Sequence, residues 1–422
     1  MSCGPRGVRR GRARALALCA ALLAALALPR QVRAYVDEFS TFDPSRDESD
    51  DESVFDHYLT RTPDAWREAW EDSSRGFRTS EGCFTSGEWF LAHDFKDRAP
   101  ISEKAFLDIS MQQRNDDEAT WEWVNFDFRR PFDHAGTFGL RFRPSFDKSE
   151  HDFAALWEWG AARSPWHVQA SFTLVDAYNN FWQFRQIKVG NHGEPYTAHP
   201  FEPALDVVRR GAHHRIEISG TWLTPSRKEI LDPSYVTSGS YALWGSKGAA
   251  IAQADAGRWT FEARGDQEQV ATSSVTLGMP GNDHSFRRRW SAEGAVGRAL
   301  TRSWRVQARL LYEDRFTDWT PPTADGMFHA VDRVRTAEAD WTAHPDWVFR
   351  FGLLHDRIGI AQQGAIPVDT YGTRKEARAF IGLQARFARI RVQGIEGIQL
   401  SQKPYPVTWH HDKGFLQLQT TF

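Results

Sequence analysis

From about residue 101 onward, apolar and polar residues alternate with period two. Trp166, Val168, Ala170, Phe172 and Leu174 alternate with His167, Gln169, Ser171 and Thr173. Phe138, Leu140 and Phe142 alternate with Gly139, Arg141 and Arg143. Trp304, Val306, Ala308, Leu310 and Tyr312 alternate with Arg305, Gln307, Arg309 and Glu313, with Leu311 as the exception. The same period runs through Trp347, Phe349, Phe351 and Leu353, and through Ala377, Ala379, Ile381 and Leu383. Successive side chains of an extended strand face opposite sides, so this pattern predicts strands and cannot line one face of a helix. Runs of ~9–11 residues match the length a tilted strand needs to cross a bilayer.

Two kinds of connection separate the predicted strands. Short ones fall at Arg163–Pro165, Leu300–Ser303, His344–Asp346 and Arg386–Ala388; long ones fall at about 224–238, 314–331, 358–374 and 399–413. Short and long alternate, as in membrane barrels with tight periplasmic turns and long external loops. Upward strands are expected to begin near 105, 137, 166, 213, 258, 304, 347 and 389. Downward strands are expected near 121, 152, 182, 239, 288, 332, 375 and 414. The expectation is an all-β, transmembrane, antiparallel up-and-down β-barrel of about 16 strands over 101–422, with 14 or 18 left open.

The tryptophans sharpen the picture. Trp166, Trp304 and Trp347 each follow a short turn, and Trp259 follows a further one at Ala256-Gly257. Trp157, Trp159 and Trp341 precede short turns. All seven share the apolar phase of their strands, so they would form a girdle at one membrane interface, where an amphipathic indole is most stable. The competing reading, a soluble β core, gives no reason to gather them at one end of successive hairpins.

Composition changes the picture in three ways. The mean hydropathy is polar, yet the chain holds 18 Trp and 29 Phe among 422 residues. A membrane barrel reconciles the two because only every second residue of a strand faces lipid. The 52 basic and 55 acidic residues nearly balance, which argues against nucleic acid as a partner. Cys83 is the sole cysteine beyond residue 34. No intramolecular disulfide, multi-thiolate metal site or Cys-x-x-Cys-His haem attachment can then form in a processed chain. Cys83 is read as a buried thiol or, alternatively, one with an intermolecular partner.

The N-terminus reads as a targeting segment. Arg6, Arg9, Arg10, Arg12 and Arg14 form a basic region, Ala15–Leu28 is apolar apart from Cys19, and Val32-Arg33-Ala34 suits cleavage after Ala34. The apolar run is too short to span ~30 Å of hydrocarbon as a helix. Residues 35–100 are read as an acidic N-terminal segment, periplasmic or plug, whose first part, up to about residue 57, is too acidic and too poor in apolar residues to order itself alone. Thr62-Pro63-Asp64 looks like a helix start, and Trp66 and Trp70 share one face of that short helix. Either it plugs or docks at the periplasmic side, or its tryptophans pack on the barrel rim.

The last residues, Phe415-Leu416-Gln417-Leu418-Gln419-Thr420-Thr421-Phe422, resemble the C-terminal strand of the outer-membrane β-barrel superfamily. Leu416, Leu418 and Phe422 match its pattern; Thr420 departs, because a larger apolar residue or tyrosine is usual there. The resemblance is porin-like, with no narrower family. It implies recognition by the barrel-assembly machinery, contact with outer-membrane lipid and residence in the bacterial outer membrane. Porins are often trimers, so a homo-oligomer is implied only by the superfamily.

If the apolar phase faces lipid, the opposite phase lines the lumen. It carries Arg141, Arg143, Arg215, Arg305, Arg309, Arg350, Arg378 and Arg391, with Glu158, Glu217, Glu262, Glu313, Glu338 and Asp340. Such side chains can set ion preference in a water-filled pore or can pair and close it. The leading expectation is passive diffusion of small polar or anionic solutes. The alternatives are a scaffolding barrel, plugged or sheathing a partner, and an enzyme in the wall. No nucleophile-elbow, zinc or P-loop spacing occurs, so no catalytic residue, metal or cofactor is assigned. His355 shares the lipid-facing phase near the external rim. The 314–331 region and Trp409-His410-His411 are candidates for external contacts.

Overall fold

A computed structural model describes residues 73–83, 89–116, 120–144, 151–161, 164–175, 196–198, 201–231, 237–276, 283–320, 326–364, 370–403 and 411–422, together with Trp66, Ala69 and Trp70. The targeting segment, the acidic residues before Trp66, the Thr62–Asp64 helix start and the Trp409-His410 pair lie outside that set, as does the Cys83 side chain.

The strands are β1 (Gly76–Cys83), β2 (Trp89–Ser102), β3 (Ala105–Asp116), β4 (Thr120–Phe132), β5 (Gly136–Pro144), β6 (His151–Trp159), β7 (Trp166–Leu174), β8 (Tyr196–Ala198), β9 (Phe201–Arg210) and β10 (His214–Leu231). They continue with β11 (Thr237–Ala256), β12 (Trp259–Thr276), β13 (Asp283–Ala299), β14 (Trp304–Thr320), β15 (Gly326–His344), β16 (Trp347–Gly364), β17 (Thr370–Phe387), β18 (Ile390–Lys403) and β19 (His411–Thr421). All belong to one sheet in which each strand pairs antiparallel with its neighbours. β8 and β9 both lie on β10, so the 19 segments make one stave fewer, eighteen. The sheet closes where β1 pairs with β19, from Gly76↔Thr421 to Cys83↔Gly414. Closure pairs the two end staves with each other at this seam, as a bilayer requires because lipid offers no partner for an unpaired peptide group.

Three expectations are corrected. The barrel begins at Gly76 rather than 101, because β1 and β2 are staves of the wall; they raise the count from about 16 to eighteen. Their phase is weak: the positions of β2 that share a face with Phe95 include His93 and Asp97, so ladder hydrogen bonds, not alternation, fix them. The stave expected near 182 is instead formed by β8 and β9, and residues 176–195 lie outside the described set. The connections expected to be long are largely strand: β10 runs to Leu231, and β14 and β15 continue to Thr320 and from Gly326. Paired strands satisfy their backbone groups above the bilayer as well as within it, so these hairpins outgrow the membrane.

The wall is therefore uneven. β5, β6, β7 and β9 have 9 or 10 residues, whereas β10–β17 have 17 to 20. The short turns gather at one end and use strained backbone where they must. Gly136 (φ 89°) and Gly160 (φ 79°) stand in the left-handed region. A Cβ on either would meet a carbonyl oxygen at 2.2 Å, so only glycine fits there.

Sidedness is inverted relative to a protein in water. Leu140, Ile218, Leu310, Leu353 and Leu416 are each more than half exposed, while Asp332, Asp356, Glu376 and Arg378 are almost wholly buried. The inner face is not uniformly polar, however. Val175, Leu223, Leu243 and Val270 form one buried apolar patch, and Val334, Leu354, Phe380 and Ile395 another, with Leu311 against it.

Candidate functional site: the inner wall

Alternation directs one charged side chain inward at every second position, and antiparallel register sets these charges beside one another across strands. Around β2–β6 they form a chain. Arg98 binds Asp108 at 2.6 Å, and Arg129 reaches Asp108 (3.4 Å), Asp127 (2.9 Å) and Glu158 (2.8 Å). Arg141 donates from both Nε and Nη2 to Asp127, at 2.8 and 2.9 Å. Arg143 donates to Asn125 at 2.8 Å and stands 3.5 Å from Asp152. Two-pronged contacts of this kind are the strong form of the ion pair, because guanidinium and carboxylate geometries match.

The tall side repeats the arrangement. Arg289 binds Glu313 at 3.0 Å, Arg287 binds Glu268 at 3.2 Å, and Arg309 lies between Glu293 and Glu262. Arg350 bridges Asp340 (2.9 Å) and Glu338 (3.6 Å), and Arg378 and Arg374 flank Glu376 at 3.0 and 3.2 Å. Arg215 binds Glu217 at 2.6 Å, and Arg305 donates to the Thr260 hydroxyl at 2.6 Å. Every side chain singled out for the lumen thus lies on the inward phase, Arg391 included, whose register partner Gln419 is fully buried.

Sequence reading passed over several members of these networks. Asp127 is the hub of the first, and Arg129, Asp108, Arg289, Glu268 and Glu293 belong equally. Their signal is the same alternation; what was missing is the register that makes them neighbours. Asp332 and Asp356 are a further case. Asp332 stands opposite Glu313 and Asp356 opposite Glu376, so carboxylates from β14 to β17 gather on one inner patch.

Two cavities with charged side chains in their lining open on this wall. One of about 480 Å³ is lined by Lys247, Arg264, Asp266, Glu268, Arg289, Glu293 and Glu313 among others. One of about 200 Å³ is lined by Arg129, Arg141, Glu158 and Gln169 among others. Both include Ser219, Gly220 and Thr221, so they meet at β10.

At the short-turn end the barrel mouth receives the chain's own N-terminal side. Trp66, Ala69 and Trp70 are helical. Gln419 Nε2 donates to the Trp66 carbonyl at 2.8 Å, and Lys96 Nζ donates to that of Trp70. The Trp70 ring lies 4.7 Å from Lys96 Nζ and 5.2 Å from the Arg78 guanidinium, close enough for cation–π attraction. Gln419, Arg78 and Asp94 are register neighbours on the inward phase, so the tryptophans sit over the inner wall.

On the outer surface at the same end, Trp159, Trp166, Trp259, Trp304, Trp341 and Trp347 are exposed and Trp157 is half-buried. Trp341 stacks on Trp304 at 6.1 Å and on Phe349 at 5.5 Å. In β19, Leu416 is exposed on this outer face and Leu418 shares it two residues on. Phe422 is exposed beyond the strand end, its amide donating to the Arg75 carbonyl.

No family model and no curated protein matches the chain. Among solved structures, the loop L8 deletion mutant of OmpT, an outer membrane protein of Vibrio cholerae, is 8% identical with a TM-score of 0.38, covering 82% of this chain and 97% of that one. A bacterial polysaccharide outer membrane secretin is 11% identical with a TM-score of 0.40, covering 83% and 99%. A triple mutant of the Rhodopseudomonas blastica porin is 9% identical with a TM-score of 0.32, covering 82% and 99%. None of these likenesses assigns an activity. The closed wall, with its charges inside and its oily side chains outside, is by itself that of an outer-membrane β-barrel of the bacterial cell. No specific family within that class is assigned.

Proposed function

We propose that this barrel is a passive channel for small polar or anionic solutes, with weak ion preference. The observation that carries the reading is the pairing of arginines with carboxylates on the inner wall, beside two cavities that share lining residues of β10; outside the acidic patch of β14–β17 the two signs offset each other among the described residues, which favours weak ion preference. Outer-membrane lipid surrounds the wall, and assembly through the C-terminal strand is part of the same reading. In a planar bilayer the protein should pass a steady current that discriminates little between small anions and cations.

A second reading has its own observation. Trp66 and Trp70 rest on Gln419, Lys96 and Arg78 at the periplasmic mouth, which favours a barrel narrowed or plugged by residues 35–72. Deleting those residues should raise single-channel conductance several-fold. Silence of both forms in the bilayer would defeat the channel, and co-purification with a periplasmic protein would then favour a scaffold.

A further inference from the structure

The outward phase of the tall wall ends in a row of cations. Arg333 of β15 stands directly opposite Arg357 of β16, and Arg357 stands opposite Lys375 of β17. Two residues nearer the short turns, Arg335 is opposite His355. Arg333, Arg335, Arg357 and Lys375 are exposed, and their strands carry Trp341, Leu353 and Ile381 on the same face.

Nothing of opposite sign answers these charges among the described residues: none of the four is in a salt bridge. Arg333 has only the Tyr312 ring, at 5.9 Å. Asp314, two residues above Tyr312, is engaged with Arg288 at 3.5 Å and His329 at 3.2 Å. Like charges directly opposite across a ladder repel. Inside the barrel, by contrast, Arg350 of β16 and Arg374 and Arg378 of β17 are paired. An unanswered row on the lipid side therefore calls for an anion from outside the chain.

Its height says which anion. Arg357 lies ten residues beyond Trp347 on β16. At ~3.3 Å per residue and a strand tilt of ~40°, that is about 25 Å, the height of a barrel's apolar band. The row therefore sits at the outer interface, one band above the tryptophan girdle, where headgroup phosphates lie. Arg335 is about 5 Å lower and can extend its stem along the apolar surface to bring its charge to the same level.

We propose that Arg333, Arg357 and Lys375, with Arg335 beneath them, form an external binding site for a phosphorylated, anionic lipid headgroup of the outer leaflet. The site depends on the orientation of the barrel in its membrane and not on whether the lumen conducts.

The test uses the whole processed chain in phosphatidylcholine nanodiscs, titrated with a lipid A carrying two phosphates and with its dephosphorylated form. The wild type should bind the phosphorylated lipid, more weakly as salt rises. The R333Q/R357Q/K375Q variant should lose about 100-fold in affinity, from about fivefold for each basic residue at an anionic lipid surface. R333K/R357K should retain most of the affinity. R209Q should retain all of it, because Arg209 stands at the opposite end of the wall, over Trp166. Heat-modifiable gel mobility checks that each variant is folded. Equal affinity of the triple variant, or of the dephosphorylated lipid, overturns the site. A loss of self-association with lipid affinity unchanged overturns it too, in favour of a protein partner.

Discussion

Arg350 and Arg357 are seven residues apart on the same strand and live in different solvents. Arg350 faces the lumen, where it bridges Asp340 and Glu338 from the adjoining strand. Arg357 faces outward, between Arg333 and Lys375, and has no carboxylate. The odd separation alone puts them on opposite sides of the sheet. Inside the wall, most arginines are matched by a carboxylate of the chain. Outside, the tall wall of β15–β17 is oily up to the outer interface and then presents cations that no described carboxylate pairs. A guanidinium enclosed by protein needs a partner in the fold, because its desolvation is not otherwise offset; one at a membrane interface can take its partner from the lipid.

The sharpest way to break this contrast is to remove the hub of the inner network. Asp127→Ala leaves Arg141 and Arg129 facing each other without the carboxylate they share, and it should cost about 3–5 kcal/mol, nearer the lower figure because the lumen side of both arginines keeps some exposure. The midpoint of urea unfolding, followed by tryptophan fluorescence, measures it. An unchanged midpoint would mean that inner pairing contributes little.

The outer face is tested next. Leu353→Arg places a cation in the middle of the apolar band, about 15 Å above Trp347 by the same geometry, and should cost about 2–4 kcal/mol. A loss below that range would show that this stretch of wall does not face hydrocarbon. The smallest effects come from a matched pair. Arg350→Gln strands Glu338 and Asp340 and should cost about 2 kcal/mol, whereas Arg357→Gln should change stability by less than about 1 kcal/mol. If the two variants unfold at the same denaturant concentration, the inner and outer arginines are equivalent and the contrast fails.

Much of this was legible along the chain, and the losses have identifiable causes. Trp166, Trp304 and Trp347 mark the short-turn end because they repeat at strand starts in the lipid-facing phase. β3, β5, β7 and the alternate strands from β10 onward begin close to where alternation put them. β1 and β2 escaped notice because their alternation is interrupted by polar residues on both faces. The hairpins above the membrane read as loops because neither of their faces needs to be oily there. Arg333, Arg335, Arg357 and Lys375 do occupy the lipid-facing phase in sequence, but on four separate stretches they look like scattered charges.

The order of oily and charged positions fixed by itself that this chain would be extended, two-sided and membrane-facing, because side-chain direction in a strand depends only on whether a position is odd or even. Which charges became neighbours was decided only by the closed wall. Register links residues far apart in the chain, Gly76 with Thr421 at the seam and Arg333 with Arg357 on the outer face. It is set by strand pairing and bulges around the whole circumference, which no local stretch encodes.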